Sequence, residues 1–327
     1  MRTAIVVHPR FEQTWPFVAD HLVSLLRPSV DVVLTRLADD ALPAALPDPA
    51  GVRRLISLGV YPTDADLDGL PGLAEAYVAG SWPPPSDLDE RLERHGVRRI
   101  TQPSEGHWAQ SVAEYALGLT ICGLRRIPQQ HAAIVSDDSA WKHAYGQFGD
   151  DPAFSHGTIA GKRVRIVGAG NIASRYASYT NMLGADVAAW DPFASEPSFH
   201  RAGARKEWHL ERLLADAEIF APMVPLNPGT EGLITAEHVR ALPKGCLVVL
   251  VTRATVCDVP ELRRRVLADE LSLAADVFDV EPLPLGDPLL GRHNVVHTPH
   301  NAGRTLHANH AYAENLATQL PEYVAHG

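Results

Sequence analysis

The feature that most constrains the fold of this chain is a glycine-rich turn between two apolar segments. The run Arg163–Val167 predicts a β-strand, and it leads directly into Gly168-Ala169-Gly170-Asn171-Ile172-Ala173. The next residues, Ser174–Leu183, have helical periodicity, and Asp186–Trp190 predicts another strand. A strand, a tight turn, a helix and a second strand in this order form a βαβ unit. The segment therefore predicts parallel strands in an α/β domain.

The same turn has the spacing G-x-G-x-x-A, which suits the binding of a dinucleotide. The first glycine makes the turn, the second lets the backbone approach the pyrophosphate, and a small third residue packs the helix on the strand. Asp191, 18 residues past Ala173, lies where an acidic side chain accepts ribose hydroxyls, although it could instead only cap the strand before Pro192. Together these features predict NAD as cofactor. The NAD-binding residues predicted from this segment are Gly168, Gly170, Asn171, Ile172 and Asp191.

The first hundred residues predict a second α/β region. Short apolar runs there alternate with helical patterns, and this alternation favours a parallel sheet. The predicted strands are Ala4–Val7, Val30–Leu34, Leu55–Leu58 and Glu75–Ala79, and the predicted helices are Pro16–Leu26 and Asp87–His95. Further strands are predicted in the second half of the chain at Ile219–Met223, Leu247–Val251 and Ser272–Ala275.

Two long helices define the expected domain organisation. An amphipathic helix over Ala109–Leu124 precedes the glycine-rich turn, and a last helix over His307–Val324 is long enough to return to the first region. We therefore expect two Rossmann-like or flavodoxin-like domains with doubly wound parallel sheets. Residues 1–107 and 300–327 form a discontinuous substrate domain, and the nucleotide domain, 108–299, is inserted in it.

Charge and composition exclude several kinds of partner. The formal net charge of −10 disfavours nucleic acid and anionic membranes, since both attract basic surfaces. No apolar stretch reaches the 18 residues that suggest a membrane span. The three cysteines form no C-x-x-C pair, so they predict free thiols in the cytoplasm. The 16 histidines lack the H-E-x-x-H spacing, and no metal site is expected.

Three polar residues occur where βα units end in the second half of the chain: Arg253, Glu281 and His300. Hydride transfer at a 2-hydroxy or 2-oxo acid needs a cation for the carboxylate, a proton donor or acceptor at the oxygen, and often a group that orients that base. Arginine, histidine and glutamate match these tasks. Spacing alone leaves open whether they converge or are surface residues.

From about Leu70 to Gly303 the sequence resembles the D-2-hydroxyacid dehydrogenase family. Six segments occur in the family's order: Val112-Ala113-Glu114, Gly161-Lys162-Arg163-Val164, Val224-Pro225-Leu226-Asn227-Pro228-Gly229-Thr230, Thr252-Arg253-Ala254-Thr255-Val256-Cys257-Asp258, Asp276-Val277-Phe278 with Glu281-Pro282, and Thr298-Pro299-His300-Asn301-Ala302-Gly303. The first 70 residues resemble the family only in their pattern of strands and helices.

The resemblance implies an activity and a role for each of these residues. The expected activity is NAD-dependent hydride transfer to or from a small anionic 2-hydroxy or 2-oxo acid. Arg253 is expected to bind the substrate carboxylate, His300 to act as acid and base, and Glu281 to orient His300. Further cofactor contacts are expected from Val224, Pro225, Thr252, Asp276 and Gly303, and further substrate contacts from the loop residues Gly80, Ser81 and Trp82.

The sequence also departs from the family. Leu250 replaces an asparagine three residues before Arg253, Ala254 replaces a glycine, the loop 79–85 contains three prolines, and Gly106-His107-Trp108 is unusual. A phosphonate, phosphite or sugar-acid substrate therefore stays open, as does a non-catalytic NAD sensor. The helix Ala109–Leu124 is apolar on more than one side. Because the family's dimers form there, we expect a homodimer with twofold symmetry.

Overall fold

The structure is a computed structural model that describes residues 2–38, 46–80, 84–102, 106–138 and 141–323. The described strands are β1 Arg2–Val7, β2 Asp31–Arg36, β3 Val52–Leu58, β4 Glu75–Ala79, β5 Arg98–Ile100, β6 Arg163–Val167, β7 Asp186–Trp190, β8 Arg205–Lys206, β9 Ile219–Pro222, β10 Leu247–Leu250, β11 Ser272–Ala275 and β12 Val295–His297. The described α-helices are α1 Pro9–Thr14, α2 Val18–Leu26, α3 Asp64–Asp68, α4 Leu88–Arg94, α5 Ala109–Arg125, α6 Ile127–Ser136, α7 Asn171–Met182, α8 Glu196–Arg201, α9 Leu210–Ala215, α10 Ala236–Ala241, α11 Val259–Leu267 and α12 Leu306–Ala317.

The chain divides into two compact units. The first comprises Met1–Trp108 and Arg304–Gly327, and the second comprises Ala109–Gly303. The chain passes between them one and four residues beyond the boundaries expected from the sequence. His300 therefore lies in the second unit, together with Glu281 and Arg253.

The sheet of the first unit is parallel and has the strand order β2-β1-β3-β4-β5. Its side chains alternate between two apolar clusters. Ile5 and Val7 pack with α2 and α12, whereas Ala4 and Val6 face the cluster that contains Leu88 of α4. Both faces of the sheet are thus buried under helices, which explains why its strands read as nearly continuous apolar runs.

The sheet of the second unit is also parallel, with the order β8-β7-β6-β9-β10-β11-β12. Numbered from β6, this is the order 3-2-1-4-5-6-7, the doubly wound arrangement of dinucleotide-binding sheets with one added strand. The order reverses between β6 and β9. In open sheets of this kind, ligands bind beyond the carboxyl ends of the strands at that reversal.

The structure corrects three helix boundaries predicted from the sequence. The last helix ends at Ala317 rather than at Val324, because Pro321 has no N–H for the next turn and its ring clashes with the carbonyl four residues earlier. The helix predicted from Pro16 begins two residues later, at Val18, and a separate helix that was not predicted precedes it over Pro9–Thr14, with Pro9 in its first turn. Helix α7 begins at Asn171 rather than Ser174, directly at the glycine-rich turn. Within the described residues, no helix combines the length and apolar character needed to cross a membrane.

Candidate active site

The glycine-rich turn joins β6 to α7 at the point where the strand order reverses. Gly168 has φ +106°, and a Cβ there would lie 2.7 Å from the carbonyl oxygen of Met223. A larger residue is therefore excluded by both conformation and space. At Gly170 a Cβ would meet no atom within 4 Å, so the turn opens toward free space above the start of α7. Ala173 is buried, as a small residue between helix and strand requires. An extended diphosphate fits over such a turn.

Asp191 follows β7 and connects its own loop to the glycine-rich turn. Its carboxylate accepts hydrogen bonds from the backbone N–H of Ala169 at 2.9 Å, Phe193 at 2.9 Å and Ala194 at 3.2 Å. The sequence offered a cap and a ribose acceptor as alternatives, and the cap is present. A carboxylate has about four acceptor positions, so these three bonds leave room for a ribose hydroxyl.

The ends of β9 and β10 lie beside the turn and are joined to each other. The buried Thr252 donates its hydroxyl to the carbonyl oxygen of Pro222 at 3.2 Å. Val224 packs against the apolar core of the second unit, and the Thr230 hydroxyl donates back to the carbonyl of Pro225. Thr252, Val224 and Pro225 therefore belong to one connected edge of the sheet.

Glu281 and His300 form the closest polar pair of the predicted set. The Oε2 atom of Glu281 lies 2.6 Å from Nδ1 of His300, while Oε1 accepts the backbone N–H of Phe278 at 2.8 Å. Both side chains are about one-third exposed. Because Nδ1 is engaged by the carboxylate, Nε2 is the nitrogen left to meet a substrate. The sequence gave no signal for the support from Phe278, because that support is a backbone group.

Asp276 fixes the turn that holds His300. It is 1% exposed, and its carboxylate accepts the hydroxyl of Thr298 at 2.6 Å and the backbone N–H groups of Asn301 at 3.0 Å and Ala302 at 2.9 Å. His300 itself has φ +52°, a conformation that is uncommon for residues other than glycine. These three hydrogen bonds, one before His300 and two after it, thus stabilise a backbone conformation that is unfavourable by itself.

Arg253 follows β10 and is exposed, and its Nη1 donates to the carbonyl of Thr252 at 2.7 Å. The departures beside it are accommodated in the core: Leu250 is buried, and Ala254 is buried at the start of a short 3₁₀ helix, Ala254–Val256. Strands β10, β11 and β12 are adjacent and parallel. Arg253, Glu281 and His300 therefore follow the same edge of the sheet.

The other predicted substrate residues lie in the loop after β4. Gly80 is in the first unit, where a Cβ would lie 2.4 Å from the ring of Tyr61, so a larger residue would have to displace that ring. Ser81 and Trp82 lie outside the described residues. Gly303 ends the second unit immediately after the His300 turn.

A doubly wound sheet with this turn, and an imidazole–carboxylate pair at the same edge, define the class of NAD-binding dehydrogenases. A family model described as D-isomer specific 2-hydroxyacid dehydrogenase, NAD binding domain, matches residues 117–302. The chain belongs to the D-isomer specific 2-hydroxyacid dehydrogenase family, as the resemblance in its motifs predicted. Its residues 117–302 are an NAD-binding domain of that family.

Individual proteins are similar over much of the chain. D-3-phosphoglycerate dehydrogenase of Haemophilus influenzae is 30% identical over 224 residues, which are 67% of this chain and 51% of that protein. The Escherichia coli enzyme of the same name is 30% identical over 247 residues, 74% of this chain and 56% of that protein. The chain thus spans about half the length of these relatives. The apo structure of Rhodotorula graminis D-mandelate dehydrogenase has a TM-score of 0.74 at 22% identity, covering 96% of this chain and 91% of that one, and it has the same fold.

Proposed function

We propose that this protein is an NAD-dependent oxidoreductase that transfers a hydride between nicotinamide and a small 2-hydroxy or 2-oxo acid. The observation that most strongly supports the proposal is the 2.6 Å contact between Glu281 and His300 at the carboxyl edge of the sheet. The surface pair of His293 and Asp269 also has a short contact, but His300 differs in lying on a turn whose backbone N–H groups are held by the buried Asp276. Family membership and the glycine-rich turn support the cofactor.

In reduction, NAD in its reduced form supplies the hydride to the carbonyl carbon of the acid. The carbonyl oxygen then needs a proton, which Nε2 of protonated His300 donates. In oxidation the neutral imidazole takes the hydroxyl proton while the hydride leaves from carbon. Glu281 orients the ring through its contact with Nδ1, which leaves Nε2 for the proton transfer. Arg253 holds the substrate carboxylate, for which its planar guanidinium offers two parallel N–H donors.

We assign Asp276 to positioning rather than to direct cofactor contact. Unlike Asp191, Asp276 is almost fully buried, and its carboxylate faces three donors of the His300 turn. The roles of Gly80, Ser81 and Trp82 at the substrate, and of Val224, Pro225, Thr252 and Gly303 at the cofactor, remain as the family resemblance implies them.

The test is a panel of 2-oxo acids with the protein and NADH, following the absorbance of NADH. The panel includes aliphatic, aromatic, phosphorylated and sugar-derived acids, with phosphonates and phosphite tested in the oxidative direction. The proposal expects turnover of at least one 2-oxo acid. Turnover of phosphite or a phosphonate alone would favour the other chemistry, and tight NADH binding without any turnover would favour a sensor.

We also propose that the protein is a homodimer. Apolar side chains are exposed along α5, α6 and the residues after them: Ile121, Ile127, Ile134, Val135, Trp141, Tyr145 and Phe148. Such a series is costly in water and is typical of a surface covered by a second copy. Light scattering at micromolar concentration tests this, and a monomeric mass contradicts it.

The free thiols, of which Cys246 and Cys257 are buried, support our proposal of a reducing compartment such as the cytoplasm.

A further inference from the structure

Lys206 is a charged residue close to the expected ribose site that the motifs did not reveal. It is the last residue of β8 and lies opposite Ala189 of β7, two residues before Asp191. Ala188 and Trp190 pack on the apolar core of the second unit, so strand alternation places Ala189 on the opposite face of the sheet. Lys206 and Asp191 share that face, and the spacing of strands puts their Cα atoms about 8 Å apart.

The ammonium group of Lys206 is held in place rather than mobile in solvent. Its Nζ donates to the carbonyl oxygen of Ala194 at 3.1 Å, and Ala194 belongs to the loop that Asp191 caps. The same Nζ lies 4.2 Å from the ring centre of Trp208 and 5.2 Å from that of Phe199. Two aromatic faces and a carbonyl thus fix one positive charge beside the loop.

The charged residues next to Lys206 in the sequence contact other groups, so the ammonium group of Lys206 stays at the loop after β7. Arg205, which precedes it, is near Asp186 and Glu207. Glu207 in turn accepts the backbone N–H groups of Trp208 and His209. Asp191 directs its carboxylate to backbone donors and not to Lys206. Asp191 and Lys206 therefore place opposite charges at the same end of the cofactor site.

We propose that Lys206 determines how strongly the protein discriminates against a phosphate on the 2′ position of the adenosine ribose. The inference rests on the proposed function, because it takes Asp191 as the ribose acceptor. Asp191 repels a 2′-phosphate, and the fixed ammonium group of Lys206 attracts it. The protein therefore prefers NAD, but by a smaller margin than Asp191 alone would give.

The test uses the adenosine end of the cofactor without catalysis. Calorimetry compares the binding of adenosine 5′-monophosphate with that of adenosine 2′,5′-bisphosphate, to wild type and Lys206→Met. Methionine keeps an unbranched stem beside Trp208 and Phe199 but removes the charge and the donor. A unit charge acting on a phosphate at this range changes affinity about three- to tenfold. We expect Lys206→Met to lower the affinity for the bisphosphate by that factor and the affinity for the monophosphate less than twofold.

Two control variants sharpen the result. Lys206→Arg keeps the charge and should retain the wild-type ratio of the two affinities. Lys244→Met removes the same charge near the amino end of β10, at the opposite edge of the sheet, and should leave both affinities unchanged. Equal weakening of both nucleotides by Lys206→Met would mean that Lys206 only supports the loop. Unchanged affinities for both would also overturn the proposal.

A separate variant distinguishes failure of this inference from failure of the proposed function. Asp191→Ala should weaken the monophosphate, because it removes the ribose acceptor. If it does not, the ribose lies elsewhere, and the proposed cofactor site is wrong together with this inference. If Asp191→Ala has its expected effect and Lys206→Met leaves the affinity ratio unchanged, only the role of Lys206 is wrong.

Discussion

An arginine near the amino ends of the parallel strands and one at their carboxyl ends have opposite environments in the seven-stranded sheet. Toward the amino ends, which we call the amino edge, Arg165 is 2% exposed and bonds the carboxylates of Asp216 at 2.8 Å and Asp186 at 2.9 Å. At the carboxyl edge, Arg253 is exposed, and within the described residues its hydrogen bond goes to the carbonyl beside it. An arginine saturated by carboxylates stabilises the fold, whereas one with unused donors is suited to a ligand. On the proposed function, this contrast separates a structural arginine from one that binds the substrate.

The largest expected effect is at His300. His300→Gln should lower kcat by about 10²- to 10⁴-fold, the usual contribution of a positioned acid or base. NADH affinity should change less than twofold, because the imidazole acts on the substrate. His297→Gln is the matched control, since His297 is exposed on the adjoining strand β12. Equal losses in both variants would remove His300 from the mechanism.

Substitutions of Arg253 and Arg165 should affect different properties, activity in one case and stability in the other. Arg253→Ala should lower kcat/KM about a hundredfold through the lost carboxylate contact and leave the urea midpoint unchanged. Arg165→Met should do the reverse and lower the free energy of unfolding by roughly 2 kcal/mol, because its charged hydrogen bonds are lost. Near-full activity of Arg253→Ala would mean that the substrate carboxylate is held elsewhere.

A substitution of Asp276 tests whether the turn that holds His300 must be fixed by hydrogen bonds for activity. Asn at this position has one acceptor oxygen where three donors converge, so at least one bond to the His300 turn is lost. We expect Asp276→Asn to lower kcat about tenfold, roughly 1.4 kcal/mol, with NADH affinity unchanged. Loss of NADH affinity with normal kcat would instead support direct contact with the nicotinamide.

The sequence predicted the second unit well because its local patterns and its tertiary structure agree. The turn at Gly168 needs its conformation whatever surrounds it, and the apolar run before it becomes β6 without change of bounds. The first unit was less predictable. The helix expected from Pro16 begins only at Val18, the helix over Pro9–Thr14 was not predicted, and the end of α12 depends on Pro321 rather than on the apolar pattern.

The connections within the candidate site could not be predicted from the sequence. The motifs named Asp276 and Glu281, yet the donors that hold them are backbone groups of Ala302 and Phe278, which have no sequence signature. Lys206 was missed for a related reason. It contacts the loop after β7 through strand pairing and the carbonyl of Ala194, so its neighbours in space are distant along the chain.

The smallest expected effect concerns the amino edge in acid. The hydrogen bond from Arg165 lowers the pKa of Asp216 below its ordinary value of 3.8. A carboxyl group with a lowered pKa in the folded state stabilises the protein above pH 3.8, and this contribution is lost as the pH falls through the folded-state pKa. Because the Asp216 side chain is 49% exposed, the contribution is at most about 1 kcal/mol.

Urea midpoints measured from pH 5 downward should therefore fall less steeply for Asp216→Asn than for wild type. In an Arg165→Met background the same substitution should make a smaller difference, since the hydrogen bond from Arg165 that contributes most to the lowered pKa is gone and only the charges of Arg163 and Arg205 still lower it. An undiminished difference in that background would mean that Arg163, 3.7 Å from the carboxylate, stabilises it rather than Arg165.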